Sequence, residues 1–266
     1  MLLQFLTSMT IPFDLIPLSQ IELNQEDILA IKRNDLLPLL HDPHRLNHYA
    51  DHLVQAQSVL LNGIDPKLNQ QLSAVITQII QQLSSSKKHL GTRRFNVLQK
   101  WLGIDIEYDA GQIKYVKDLD RLIDEANYLS QRLHIEIQKS QSRLQQALGL
   151  RIQMAAYIQA ANEFLIEYPQ FSKQQLLDHF VERLSKKINT LNTLQTSNDI
   201  AIKQMQLSQH LSFSLLDRFK EAQQVLIPAW QYYVKQSRAS DSTVTLEQLD
   251  KSREELIQNL KKSLQK

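Results

Sequence analysis

One group of histidines in the sequence has the spacing of a metal site. Gaps of three and four residues place pairs of them on one helical face, where two imidazoles can share a metal: His41, His44, His48 and His52. The apolar stripe through Leu46, Leu53 and Leu60 lies on the opposite face, and few carboxylates stand nearby. We therefore expect His44, His48 and His52 to face solvent and to bind no physiological metal. Adventitious binding of zinc or nickel is the alternative.

A short acidic segment has some features of a calcium loop. Three alternating acidic residues, the first of them Asp105, precede Gly111. An EF-hand needs glycine at its sixth position and glutamate at its twelfth, but here those positions hold Ala110 and Val116. The calcium interpretation fails, and the acidic side chains are better explained as the solvated face of a β-hairpin.

A basic run with interleaved aromatic residues could contact an anionic surface. No acidic residue interrupts it, and phosphates or anionic lipid are the partners that such a run suits: Lys87, Lys88, Arg93, Arg94, Lys100 and Trp101. The alternative is a solvated loop that leads into a packed short helix.

The composition excludes several kinds of chemistry. The chain has no cysteine, and its five glycines leave few places where the backbone could wrap a nucleotide. The sequence contains no nucleophile elbow, no phosphate-cradling glycine loop and no HExxH motif. A net charge of +2, from mixed signs, is not typical of a nucleic-acid binder. We expect no cofactor, no catalytic residues and no enzymatic activity.

Long helices must position all of these residues. The 266 residues include 44 leucines and 33 glutamines but only seven prolines, and straight-chain side chains lose little rotamer freedom in helices. Asp42-Pro43 and Asp65-Pro66 each indicate a helix start, with aspartate as the cap and proline in the first turn. The sequence predicts an all-α fold, an elongated bundle of long antiparallel helices with coiled-coil-like packing.

Breaks in the pattern suggest four regions. Residues 1–103 are predicted to form an N-terminal helical region. Residues 104–114, extending to about 116, are predicted to form a small β-hairpin, because apolar and acidic residues alternate there. Residues 115–237 form a long helical hairpin that turns near Pro169 and Ser172 and has a polar stretch, Thr193–Asp199, where it could break. Residues 238–266 form a linker and a C-terminal amphipathic helix. The first long helix repeats apolar residues every eleven positions, which keeps them on one face: Leu122, Leu133, Leu144 and Ala155.

The apolar N-terminus, Met1–Leu18, does not have the pattern of a secretory signal. It has no lysine or arginine ahead of its apolar run, and Pro12, Asp14 and Pro17 interrupt it. No stretch of the chain reaches about 18 consecutive apolar residues, so no membrane span is predicted. We expect a cytoplasmic protein whose N-terminus packs on its own body.

Three segments resemble the TelA-type family of tellurite and toxic-anion resistance proteins. Leu226-Ile227-Pro228-Ala229-Trp230, late in a Gln- and Leu-rich helix, resembles the family's Ile-Pro-x-Trp signature. Residues 155–161, with Tyr157-Ile158 among alanines, resemble the family's Tyr-Ile helix, and residues 254–264 its acidic-then-leucine ending. The resemblance covers residues 115–264. The long helix that family members carry after the tryptophan is missing, which indicates a shortened member.

The resemblance implies a cytosolic helical protein linked to stress or anion resistance. Together with the absence of a catalytic motif, it favours a non-enzymatic scaffold that binds protein partners or itself, and it leaves the partners unidentified. Any protection against an oxyanion would then be indirect. The alternative is a peripheral protein that binds anionic lipid through the basic aromatic run. We also expect Trp230 to be buried against the helix over residues 150–165.

Overall fold

All the regular secondary structure in the part of the chain that the structure describes is helical. This computed structural model describes residues 15–40, 42, 44–61, 63–90, 104–167, 178–239 and 243–265. Within them lie seven α-helices: α1 (Gln25–Ile31), α2 (Asp51–Leu60), α3 (Pro66–Leu90), α4 (Ile104–Glu167), α5 (Asp178–Glu221), α6 (Ile227–Ala239) and α7 (Thr243–Leu264). Short 3₁₀ turns and two π-helical segments, Lys32–Leu36 and Ala222–Leu226, complete the described elements. The predicted all-α class is confirmed.

The β-hairpin predicted near 104–116 is wrong, because this stretch is the beginning of α4. Extending a helix adds one hydrogen bond for each residue fixed, whereas a two-stranded ribbon needs a surface to pack on. The acidic residues of the stretch also suit a helix N-terminus, where the macrodipole favours negative charge. Gly111 costs the helix about 1 kcal/mol relative to alanine, and the length of α4 tolerates this.

The eleven-residue repeat of α4 is buried, as predicted. All four of its main positions have little or no exposed surface: Leu122, Leu133, Leu144 and Ala155. The polar stretch of α5, Thr193–Asp199, does not break that helix, which is continuous from Asp178 to Glu221. The predicted turn residues Pro169 and Ser172 lie outside the described part of the chain.

The helical path departs from α-helical geometry at Ala222–Leu226, just after α5, and not at the polar stretch of α5. There the amide of Ile227 donates to the carbonyl of Ala222, five residues back, which widens the turn. Pro228 follows directly, and it has no amide hydrogen to donate while its ring crowds the carbonyl four residues earlier. The widened turn accommodates the proline inside what is otherwise a continuous helical path.

The helix predicted to start at Asp42-Pro43 is interrupted. A 3₁₀ turn, Arg45–His48, comes first, and α2 begins only at Asp51. Between them Ala50 adopts a left-handed conformation with φ 61°. That conformation costs an L-residue about 1–2 kcal/mol, so contacts with the rest of the fold must hold the turn. The start at Asp65-Pro66 is confirmed, since α3 begins at Pro66.

The fold divides into two compact units. Unit 1 comprises residues 1–63 and 140–208, and unit 2 comprises residues 64–139 and 209–266. Both α4 and α5 therefore contribute one segment to each unit. None of the described helices combines the length and apolar character needed to cross a membrane.

In unit 1, α4 and α5 run antiparallel. Arg151 of α4 pairs with Asp199 of α5, and further along α4 the ring of Phe164 lies 6.3 Å from that of Phe180, nearer the start of α5. Helices α1 and α2 pack against this pair and close the core. Leu15 packs, half-buried, on a smaller cluster of the same unit, whereas residues 1–14 of the apolar N-terminus lie outside the described residues.

In unit 2, α3, α6 and α7 pack around the first part of α4 and the last part of α5. The largest buried side chain of this core belongs to Trp230, which is 1% exposed. The predicted burial of Trp230 is confirmed. The predicted contact with residues 150–165 is wrong, because Trp230 shares its core with residues 115–137 of α4, while residues 154–164 belong to the core of unit 1.

Candidate functional site

Unit 1 contains a continuous chain of polar side chains that we call the Arg151 network: Arg151, Asp199, Gln195, Gln57 and Asn198. Arg151 donates from Nε and Nη2 to the two carboxylate oxygens of Asp199, at 2.8 and 2.9 Å. Gln195 donates to the same carboxylate at 2.7 Å and accepts from Gln57 at 2.9 Å. Asn198 donates to Gln57 at 2.6 Å, which closes the chain onto α2.

The Arg151 network also holds the segment before α1 in place through a hydrogen bond. Nη2 of Arg151 donates to the backbone carbonyl of Ile16 at 2.6 Å. The Arg151 side chain is 6% exposed, so the guanidinium is nearly dry, and its bidentate pairing is the geometry that best compensates a buried charge. The network joins α2, α4, α5 and the segment before α1.

A second polar cluster surrounds Tyr157, in the segment that carries the family resemblance. Its hydroxyl donates to Asp35 at 3.1 Å, and its backbone carbonyl accepts from the hydroxyl of Tyr49 at 2.7 Å. The ring of His52 meets the Tyr157 ring edge-on, with centroids 5.4 Å apart. Burial, reinforced by the charge of Asp35, raises the pKa of Tyr157 to about 12 and also raises the pKa of Tyr49. Both phenols therefore stay protonated donors at neutral pH.

Lys32, in the π-helical segment after α1, pairs with two carboxylates on the last turns of α4. Its Nζ lies 2.6 Å from Glu163 and 2.8 Å from Glu167. Burial lowers the pKa of Lys32, but the hydrogen bonds and charges of the two glutamates outweigh that effect, so the pKa is raised overall. The hydrogen bond from Lys32 lowers the pKa of Glu163. The charges of Lys32 and Glu163 are therefore reinforced at neutral pH.

The strained turn at Ala50 is held by α5. Nζ of Lys187 donates both to the backbone carbonyl of Asn47 and to the carboxylate of Asp51, each at 2.6 Å. Nδ1 of His48 lies 3.1 Å from the same carboxylate. Burial alone would raise the pKa of Asp51, but these two partners lower it. These contacts offset the cost of the left-handed backbone.

Unit 2 carries an open groove of about 620 Å³ that Leu226 helps to line. One wall is the end of α5 and the π-helical segment, and the other is a face of α7. Three carboxylates, two lysines, two amides and one leucine line it: Glu221, Leu226, Lys251, Glu254, Glu255, Gln258, Asn259 and Lys262. Among the described residues, the buried side-chain oxygen of Asn259 has no hydrogen-bond partner.

The predicted histidine group is not assembled into one face. His44, His48 and His52 are exposed, as expected, but the turn at Ala50 separates the first two from the third. Among the described residues, no group of three or more His, Asp or Glu side chains is placed to hold a metal. His41 lies outside the described residues.

The predicted basic run is only partly described. Lys87 and Lys88 belong to α3, but their side chains lie outside the described part, as do Arg93, Arg94, Lys100 and Trp101.

The motif residues of the family resemblance have clear places in unit 2. Ile227 and Trp230 are buried in its core, and Pro228 is exposed directly after the widened turn.

Sequence reasoning missed the Arg151 network and the Lys32 group. A signal for Arg151 was present, because it follows Leu144 and Ala147 at helical spacing and so falls on the buried face of α4. A charged residue at such a position needs a partner. Its pairing with Asp199, 48 residues away, depends on the antiparallel register of α4 and α5.

The observed features define the class: an all-α protein of two compact units, with paired charges in its interior. The chain is a distant relative of Protein KlaA from Escherichia coli, which is 28% identical over 215 residues, covering 77% of this chain and 82% of KlaA. No family model matches the chain. No solved structure matches it either.

Proposed function

We propose that this chain is a non-enzymatic helical interaction protein of a TelA-like system that protects against tellurite or a similar toxic anion in the cytoplasm. The observation that carries the proposal is the pairing of the ionisable side chains in unit 1. The shifted pKa values there reinforce ordinary charge states, as in Lys32 and Asp51, or keep a phenol protonated, as in Tyr157. General acids and bases instead need pKa values close to the working pH. These polar clusters are therefore best understood as devices that hold helices in register.

The family resemblance supports the same proposal. The Tyr157 segment organises a polar cluster in unit 1, and Ile227 and Trp230 belong to the core of unit 2. In both places the motif residues act on helix packing. The distant relationship to KlaA is compatible with this role, although its name states no activity.

Protection by such a protein would be indirect. Reducing an oxyanion needs electrons, commonly from thiols, flavin, haem or iron–sulfur centres. This chain has no cysteine to supply thiols or to bind an iron–sulfur cluster. Its contribution would be to bring partners together on its helical faces.

The test is affinity capture combined with a tolerance assay. The tagged chain is expressed in a tellurite-sensitive bacterium, and captured proteins are quantified against those captured by the Trp230→Ala variant, in which the core of unit 2 is damaged. We expect higher tolerance with the native chain and a small set of partners that the variant loses. Protection that persists unchanged without any specific partner would contradict the proposal.

A peripheral membrane role is the second candidate, and the basic aromatic run favours it. That run has five basic residues between Lys87 and Lys100, followed by Trp101. Co-sedimentation with anionic vesicles at low and high salt, compared with zwitterionic vesicles, separates the two candidates. Salt-sensitive binding that is lost in Arg93→Gln/Arg94→Gln would favour the membrane role.

A further inference from the structure

We propose that the exposed face of α4 in unit 2 is a docking surface for an acidic helix of a protein partner. This inference rests on the proposed function as an interaction protein, and it specifies the shape and charge of the partner. We call this surface the basic face. It consists of exposed residues that recur along α4 at intervals of three and four: Lys114, Lys117, Arg121, Asp124, Tyr128, Arg132, Ile135 and Lys139.

The basic face is narrow and follows the axis of one continuous helix. Its residues lie within about 40° of a single line along α4, because successive residues of an α-helix are rotated by about 100°. From Lys114 to Lys139 the face is about 38 Å long at 1.5 Å per residue. A second helix lying alongside α4 would present side chains in a line of the same width and the same rhythm.

The charges of α4 in unit 2 are segregated around this line. The basic face carries five basic residues and a single acidic one, Asp124. The other acidic residues between Lys114 and Lys139 flank the line, about 60–80° away from it: Asp118, Asp120, Glu125 and Glu136. A broad anionic surface, such as a membrane, would also bring its charges against these flanking carboxylates. The arrangement therefore favours a partner whose negative charge is confined to one narrow line.

Most of the basic side chains on this face have no counter-charge in the described part of the chain. Lys139 pairs with Glu136 at 2.9 Å, whereas no described residue forms an ion pair with Lys114, Lys117 or Arg121. The guanidinium of Arg132 lies 5.8 Å from the centroid of the Tyr128 ring, a cation–π contact that orients it without using its hydrogen-bond donors. These cations are therefore available to carboxylates of a partner.

Two large apolar side chains lie among the basic residues. Tyr128 is 59% exposed and Ile135 is 49% exposed, and they are seven positions apart, so they fall on the same line. In a coiled coil, apolar residues at this spacing pack against a facing helix. The occupant that complements the basic face is thus an amphipathic helix with acidic residues at intervals of three and four and apolar residues opposite Tyr128 and Ile135.

The test uses a fluorescein-labelled helical peptide of about four heptads that has glutamates along one face and two leucines, seven residues apart, among them. A second peptide has lysines in place of the glutamates. Fluorescence anisotropy measures the binding of both peptides to the full chain and to two variants of the basic face. Lys117→Glu/Arg121→Glu reverses charge on the face, and Tyr128→Ser/Ile135→Ser removes its apolar contacts.

The matched control is Lys67→Glu/Lys251→Glu, which makes the same charge change at two exposed positions of unit 2 outside α4. Circular dichroism melts establish that all the variants fold. We expect the glutamate peptide to bind better than the lysine peptide, and each variant of the basic face to bind it about tenfold more weakly, while the control stays within about twofold.

Equal losses in the charge-reversal variant and the control would overturn the proposal, because the attraction would then depend on net charge alone. Unchanged binding by Tyr128→Ser/Ile135→Ser would overturn it as well. If the glutamate peptide does not bind, and Lys117→Glu/Arg121→Glu abolishes co-sedimentation with phosphatidylserine vesicles, the face contacts a membrane and the proposal is wrong. If capture from cells recovers the same partners with the native chain and the charge-reversal variant, the interaction role stands and the assignment of this face falls.

Discussion

Replacing Asp199 by alanine should leave the guanidinium of Arg151 without its counter-charge inside unit 1. The variant removes both bonds from Arg151 to the carboxylate and the bond from Gln195, leaving Arg151 only the carbonyl of Ile16 among its described acceptors. Hydrogen bonds to charged groups contribute about 1.5–3 kcal/mol each, but the losses are not additive. Removing one partner of a fully buried ion pair typically costs about 3–5 kcal/mol, and because the Asp199 side chain is 24% exposed we expect a smaller loss, about 2–3 kcal/mol, in the free energy of unfolding.

Urea unfolding followed by circular dichroism measures this loss, and hydrogen exchange assigns it to α2 and α5. The matched control is Asp217→Ala, which removes an exposed carboxylate of α5 and should cost less than about 0.5 kcal/mol. The double variant Arg151→Met/Asp199→Leu should be more stable than Asp199→Ala, because apolar residues replace the whole pair. A loss below about 1 kcal/mol for Asp199→Ala would refute the reasoning. So would a double variant whose loss of stability equals the sum of the losses from its two single changes.

Three further changes test other parts of the account by the same unfolding measurement. Trp230→Ala should cost about 3–5 kcal/mol because the side chain is 1% exposed; a loss below about 1 kcal/mol would make it a surface residue. The pKa of Glu163 is lower in the folded chain than in the unfolded chain. Its carboxylate therefore stabilises the fold above its pKa in the unfolded chain, and this stabilisation is lost as the pH falls through its pKa in the folded chain. The free energy of unfolding of Glu163→Gln should thus fall less between neutral and acid pH than that of the native chain. An equal or larger fall in the variant would contradict this. Ala50→Val should lower the free energy of unfolding by at least about 2 kcal/mol, because a β-branched residue fits φ 61° poorly. Ala50→Gly should change it by less than about 1 kcal/mol, because glycine adopts this conformation readily. Similar effects of the two variants would argue against backbone strain at this position.

The sequence was sufficient to predict features that repeat along one helix. The buried stripe of α4 and the start of α3 at Pro66 depend on local spacing and on capping residues, whereas the burial of Trp230 was expected from the family resemblance. Such features need no knowledge of which helices pack together.

Features that depend on distant partners could not be predicted. The alternating residues at 104–108 have the period of a strand, but their continuity with the long helix α4 outweighs this local pattern. Ala50 carries no local sign of a left-handed conformation, because contacts from α5 hold its turn. Likewise, nothing near Lys32 in the sequence indicates that Glu163 and Glu167 will neutralise it.

We propose that the chain acts without catalysis, and turnover by the purified protein tests this proposal. Tellurite is mixed with NADPH or with glutathione, and oxidation of the reductant is followed with and without the full chain. We predict the same rate in both cases, because the chain has no cysteine and its polar clusters in unit 1 hold fixed charge states at neutral pH. Tellurite-dependent oxidation that grows in proportion to the concentration of the protein would contradict the account.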